Sequence, residues 1–183
     1  EYDSHKKFFE KFQCIGIRKN IFSCSYAMAE NVFAVTQTPA GTEPIVINAD
    51  TEKWRVSNLI VEKTQYSDNQ ISFMSSGKPL DSTFIKILKH DNSEAQECEG
   101  GEILIKSSSL FSNYYKHLEL NQTIFNDGWY RTGDFGFIKN NELFVVGRVK
   151  DMIVHAGKNI YPAEIERVLT ELCSLKSGRI VCF

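Results

Sequence analysis

The sequence has no CxxC pair, no excess of basic charge, and no apolar run near the roughly 18 residues that a membrane-spanning segment needs. A net charge of -2 leaves no electrostatic footprint for nucleic acid or an anionic membrane surface. The five cysteines (Cys14, Cys24, Cys98, Cys173 and Cys182) are odd in number and lack ligand spacing. That argues against a disulfide framework and a zinc site, and a reducing cytoplasm is the expected location. The opening EYDSHKKFFEKF is charged and has no apolar signal-peptide core. HExxH, GxSxG and GxGxxG are all missing. Gly157-Lys158 looks like the tail of a phosphate loop, but Asn159 stands where Ser or Thr is required. His5, His90, His117 and His155 are scattered, so they support neither a metal site nor a nucleophile triad. Repeats and low-complexity segments are absent too. What is left is the composition of a soluble globular chain, 42% hydrophobic and 24% charged. With no initial methionine and an apolar RIVCF at the end, the chain is expected to be a piece of a longer protein.

Local patterns divide the chain into three blocks. A mixed α/β block runs over 1–80, a β-rich block over 81–149, and the start of a small α/β block over 150–183. In the first, residues 3–15 read as a helix with Phe8, Phe9, Phe12 and Ile15 on one face. Strands are expected at 21–27, 33–38, 45–49 and 71–80, with a polar, irregular or briefly helical DTEKWRVSN between the last two. In the second, TFIKILK and EILIKS read as a hairpin pair, SNYYKHLEL as the seat of a short helix, and FGFIKNNELFVVG as a second hairpin. Asn140 and Asn141 suit the left-handed geometry of its turn. In the third, DMIVHAG reads as a strand and Pro162 opens a helix. Ile165, Val168, Leu169 and Leu172 share one face of that helix, and GRIVCF begins another strand.

The charges at strand edges in YRTGDFGFIKNNELFVVGRVKDMIVHAGKNIYPAEIE have no evident use in a core. Asp134, in a Thr-Gly-Asp turn, can either close the turn or accept two hydrogen bonds from a ribose diol. Arg148 can pair with a neighbouring acid or hold a phosphate or ribose oxygen. Glu30 follows Tyr26 by four residues. A tyrosine face can stack on a base and a carboxylate can hold Mg²⁺, although a buried tyrosine and a solvated glutamate fit the spacing equally well.

These residues together resemble the late motifs of the adenylate-forming acyl ligases, a superfamily that includes acyl-CoA synthetases, nonribosomal peptide adenylation domains and fatty acyl-AMP ligases. The run over 130–166 matches without gaps. YAMAE resembles the family's aromatic-Gly-x-Thr-Glu motif, SSGKPL its Gly-Pro turn, and GEILIKSSSLFSNYY its characteristic strand and loop. The resemblance implies an α/β (α+β) fold: the end of a large N-terminal domain with a β-barrel-like subdomain, then the start of a small C-terminal domain. It implies ATP or AMP and Mg²⁺ as ligands. Tyr26 would pack on adenine, Glu30 would help hold Mg²⁺, Asp134 would bind both ribose hydroxyls, and Arg148 would contact ribose or phosphate. Lys150 would sit at the hinge about which the C-terminal domain turns. Ala27 and Ala29 depart from the usual Gly and Thr, the second being familiar among fatty acyl-AMP ligases. The phosphate loop is expected upstream of residue 1 and the catalytic lysine beyond residue 183, so this chain alone is expected not to form an acyl-adenylate.

Within the superfamily two branches compete. The link from Glu30 to Gly77 is longer than ordinary CoA ligases carry, and resembles the fatty acyl-AMP ligase insertion that hinders the C-terminal domain's move to the thioester-forming pose. FFEKFQCIGIRKNIFSCSYAMAE and GDFGFIKNNELFVVGRVKD point the same way. HAGKNIYPAEIE is closer to the CoA ligases, because the other branch usually has Gln-Asp at the positions of Ala163-Glu164. The first branch implies a fatty acid substrate and the phosphopantetheine arm of an acyl carrier protein as acceptor. The second implies a long-chain fatty acid–CoA ligase with CoA as acceptor, and a non-catalytic module that keeps the ribose-binding edge and binds a nucleotide is a further alternative.

Overall fold

The computed structural model describes residues 2–65, 67, 69–173 and 179–182. Helix α1 spans Tyr2–Phe12, and a 3-10 turn over Gln13–Ile15 follows it. The sequence pattern carried the helix through Ile15, but Ile15 lies past its end and is 72% exposed. The strand expected over 21–27 shortens to β1, Ser25–Ala27, in which Tyr26 alone is buried. It pairs antiparallel with β2, Ala34–Gln37.

The long link then folds as a unit. Strands β3, Val46–Asp50, and β4, Gln70–Met74, pair antiparallel, with helix α2, Thr51–Ser57, between them. Asp50 caps α2 by accepting from the Lys53 amide at 2.9 Å, and Asn58 ends it in left-handed geometry. The short β5, Lys78–Pro79, returns the chain to β2.

A five-stranded sheet dominates the rest. Strands β6, Thr83–Leu88, and β7, Gly101–Ser107, form the first expected hairpin. Helix α3 covers Leu118–Ile124, later than the SNYYKHLEL pattern suggested, and the short β8, Phe125–Asn126, follows. Strands β9, Trp129–Lys139, and β10, Glu142–Arg148, make the second hairpin, with Asn140 at φ 50 and Asn141 at φ 60 in its turn. The order is β10-β9-β7-β6, with β8 on β9. A 3-10 turn at Val149–Asp151 leads into the pair β11, Ile153–His155, and β12, Lys158–Ile160, and then helix α4, Pro162–Leu172. The apolar face of α4 is largely open, with Leu172 77% exposed. The last strand predicted from GRIVCF is not formed over 179–182, and its Gly178 and Phe183 lie outside the described residues.

Strand alternation gives the sheet two faces. On one, Tyr130, Leu143, Ile87, Ile103 and Ile105 pack with Tyr26 and Val35. On the other, Phe135, Phe137 and Phe144 pack with Trp54, Ile47, Ala49 and Phe73 of the link and with Tyr161. Trp54 is fully buried, 5.5 Å from Phe137 and 6.0 Å from Tyr161 between ring centres. Gly100 must be glycine there, since a Cβ would stand 2.8 Å from the indole.

Candidate functional site

Asp134 does not sit in a turn before a strand. It lies inside β9, between two irregularities of the sheet. Against β7, three residues of β9 (Thr132, Gly133 and Asp134) stand opposite the single Ile103, because Arg131 pairs with Leu104 and Phe135 with Glu102. Gly133, at φ 72, absorbs the extra length. Against β10 the pairing shifts again between Val145 and Gly147, which brings Arg148 opposite Asp134. The Thr-Gly-Asp signal is therefore a bulge. Its Thr132 hydroxyl donates to the Ile103 carbonyl at 2.8 Å and accepts from the Asp134 amide at 3.0 Å.

This bulge directs the Asp134 carboxylate to the face that holds Tyr26. The Tyr26 hydroxyl donates to Oδ2. Arg148 Nε lies 3.0 Å from Oδ1, with its side chain half exposed and that of Asp134 mostly covered. Each carboxylate oxygen keeps a free lone pair, so both neighbours can hold Asp134 while it accepts further donors. The Tyr26 ring is 9% exposed and belongs to the core, so it offers a base little surface. Burial, and then the hydrogen bond to Asp134, push its phenol far above the ordinary value, so it stays a donor.

Glu30 lies in a 3-10 turn, Ala29–Asn31, after β1. The Tyr114 hydroxyl donates to its Oε1 at 2.5 Å and lies 3.3 Å from the Tyr130 hydroxyl. The Phe111 amide donates to the Glu30 carbonyl at 2.8 Å. The structure thus joins Tyr26, Glu30, Asp134 and Arg148 into one cluster with Tyr114, Tyr130 and Thr132. The last three escaped the reading from sequence, although NYY and YRTGD contain them. Nothing in a pattern shows that Tyr114 meets a carboxylate 84 residues away.

One carboxylate with a free Oε2 fits Mg²⁺ that arrives with phosphates and water, since Mg²⁺ usually keeps several waters and takes one or two carboxylates. It does not fit an all-protein metal cage, and among the described residues no three His, Cys, Asp or Glu side chains gather around a cation site. Lys150 lies apart from the cluster, exposed in the Val149–Asp151 turn.

The link and the chain after β10 form a second group of contacts. Arg55 Nη2 meets Glu164 Oε2 at 2.5 Å, and Lys158 Nζ lies 2.9 Å from Glu52 Oε1. Asn159 Nδ2 donates to Asn58 Oδ1 at 2.9 Å. Trp54 and Tyr161 stack beneath these polar pairs.

No family model matches the chain. A long-chain-fatty-acid–AMP ligase of Mycobacterium marinum is 30% identical to it, over 98% of this chain and 32% of the relative. A 2-succinylbenzoate–CoA ligase of Bacillus licheniformis is 45% identical, over 62% of this chain and 23% of the relative. A solved structure from work on fatty acyl-adenylate ligases of E. coli and L. pneumophila superposes with a TM-score of 0.86 at 27% identity, over 93% of this chain and 31% of the other. The chain spans about a third or less of the length of the relatives it matches.

Proposed function

The chain's relatives and structural neighbours are adenylate-forming acyl ligases, and from that premise we propose that it carries the ribose and cation edge of a fatty acyl-AMP ligase. The observation that carries this reading is the Asp134 carboxylate, set by a double irregularity in the sheet and held between a buried phenol and a half-exposed guanidinium. A vicinal diol donates two hydrogen bonds, and a carboxylate oriented this way accepts both. Arg148 adds positive charge beside the ribose and phosphate. Glu30 would hold Mg²⁺ arriving with the triphosphate, which would supply charge stabilisation at the phosphates. Residues 1–80 close the adenylate-binding core, 81–149 form the β-rich subdomain, and 150–183 begin a mobile domain that pivots at Lys150.

The chemistry belongs to the full-length protein. A fatty carboxylate oxygen bonds to the α-phosphorus of ATP, the bond to the β-phosphate bridging oxygen breaks, and its electron pair leaves with pyrophosphate. A thiol then attacks the acyl carbonyl, gives up its proton, and releases AMP. We assign the thiol to the phosphopantetheine arm of an acyl carrier protein. The contacts of Glu52, Trp54, Arg55 and Asn58 with residues 158–164 support this, because they hold the start of the third unit against the link and oppose its rotation. The 45% identity to a CoA ligase favours the second reading, with CoA as acceptor.

The deciding experiment incubates the full-length protein with labelled ATP, dodecanoate and CoA. Accumulation of acyl-AMP in the presence of CoA is the expected result. Acyl-CoA as the main product replaces the first reading with the second, and absence of both products sinks the ligase reading.

A further inference from the structure

Glu30 is held more firmly than a solvated glutamate has reason to be. Its own turn is strained. Val32, just after it, has φ 63 and ψ -51, and the Phe33 amide donates to the Asn31 carbonyl at 2.6 Å. This is the rarer form of γ-turn, on a β-branched residue that disfavours positive φ. The buried Asn31 side chain closes it, its Nδ2 donating to the Ala34 carbonyl at 2.9 Å. Val32 is 78% exposed, so no burial of its side chain explains the strain. Backbone strain of this kind persists where the surroundings over-determine a functional geometry.

A second grip comes from the loop between β7 and α3. Phe111 and Tyr114, whose rings lie 4.7 Å apart, clasp Glu30 at its carbonyl and its carboxylate respectively. Tyr114 is itself pinned from both sides by one side chain. Asn121 Oδ1 accepts from the Tyr114 amide at 2.8 Å, and its Nδ2 donates to the Tyr114 carbonyl at 2.9 Å.

We propose that Tyr114 is a positioning residue for Glu30: its hydroxyl engages Oε1 and presents Oε2, which has no partner among the described residues, to the cation and phosphates of the bound nucleotide. This rests on the nucleotide reading above. Tyr114 acts through its contact with Glu30. It acts by removing the carboxylate's rotational freedom before the ligand arrives, so less ordering remains at binding. Tyr130, 3.3 Å away, extends the line of phenols from Glu30 towards Asp134.

The test uses the full-length protein and ATP–pyrophosphate exchange driven by dodecanoate, measured against Mg²⁺ concentration. Tyr114→Phe keeps the ring on Phe111 and removes one hydrogen bond to a charged group. It is expected to raise the Mg²⁺ concentration for half-maximal exchange about tenfold, while AMP affinity without Mg²⁺ stays unchanged. In a Glu30→Gln background the same substitution is expected to have little further effect, because the two side chains act as one unit. Asn121→Ala, which frees the backbone of Tyr114, should shift the Mg²⁺ dependence in the same direction, and it decides the matter if Tyr114→Phe fails to fold. An active wild type whose Mg²⁺ dependence is untouched by both substitutions overturns the role of Tyr114 and leaves the nucleotide reading standing. A wild type that neither binds AMP nor exchanges pyrophosphate overturns both.

Discussion

The face of the central sheet that packs on Tyr26 and the face that packs on Trp54 both rest on aromatic side chains, but they spend their polar atoms differently. On the Tyr26 face the hydroxyls of Tyr26 and Tyr114 end on carboxylates, and Tyr130 lies beside the second. On the Trp54 face the indole nitrogen has no hydrogen-bond partner among the described residues, and the rings of Phe73, Phe135, Phe137 and Tyr161 simply fill space around it. The first face uses apolar packing to hold polar groups at fixed angles. The second uses it as adhesive, fastening the link to both the sheet and the segment after β10. A buried polar network is costly when incomplete, so it suits a site, whereas close-packed rings tolerate a lone unpaired N–H for the sake of contact.

The largest effect should come from breaking the adhesive face. Trp54→Ala removes a fully buried ring from the centre of its cluster and is expected to cost about 3–5 kcal/mol, read as a lower denaturant midpoint. If the loss is under about 1 kcal/mol, the link is not fastened through Trp54. The site face should respond differently. Asp134→Asn keeps the volume and a partner for Tyr26, but loses the charge opposite Arg148 and one strong acceptor. Its AMP affinity should fall on the order of 100-fold with a much smaller change in stability. Unchanged affinity in a calorimetric titration would count heavily against the ribose role.

Asp134, Arg148, Glu30 and Tyr26 could be singled out as candidates because strand-edge charge and motif order survive in one dimension, and the fold brings them into one neighbourhood. The two hairpins were legible because their alternation and the Asn140-Asn141 turn are local. What escaped has a common physical cause. Register is a relation between strands, so the double irregularity that turns a Thr-Gly-Asp sequence into a bulge leaves no mark beyond Gly133. Tyr114 and Tyr130 meet Glu30 and Tyr26 only after long loops close. Trp54 lies in a stretch that reads as polar, and only the folded chain shows its ring facing Phe73 and Phe137. The apolar pattern of 21–27 overstated a strand, because Ile21 is 60% exposed, Phe22 packs on His5 and Phe8 of α1 outside any sheet, and only Tyr26 is buried in β1.

Alkaline pH should strike both faces at once. Burial raises the phenols of Tyr26, Tyr130, Tyr161 and Tyr114 above the ordinary 10.0, so the folded state favours their neutral forms. Their contribution is intact below that value and is lost as pH rises past it, since the unfolded chain then releases protons that the folded chain retains. Absorbance at the phenolate band should therefore rise together with loss of folded signal above about pH 10, the unperturbed tyrosine value. Ionisation of these four while the fold persists would contradict their burial. A smaller effect, of opposite sign, should come from the site's own strain. Val32→Gly relieves the positive φ with little burial lost and should stabilise by about 1 kcal/mol, net of the extra freedom of the unfolded glycine. If thermal unfolding shows the variant less stable, the turn is not strained.

The smallest effect on stability should carry the most information about the acceptor thiol. Arg55 and Glu164 form an ion pair with side chains 36% and 16% exposed, so solvent screens much of their attraction. Exposed pairs of this kind contribute about 0–1 kcal/mol, and Arg55→Ala should lower stability by no more than that. Yet the pair spans the link and helix α4, Lys158 of β12 pairs with Glu52 of the link, and the rotation proposed at Lys150 would have to break both. A barrier lowered by even about 1.4 kcal/mol is tenfold in rate. The double variant Arg55→Ala, Lys158→Ala in the full-length protein should therefore fold almost as well as the wild type and pass more of its acyl-AMP to CoA. A product ratio that does not move would mean that the polar pairs decorate the junction, and that Trp54 stacked on Tyr161 alone holds it shut.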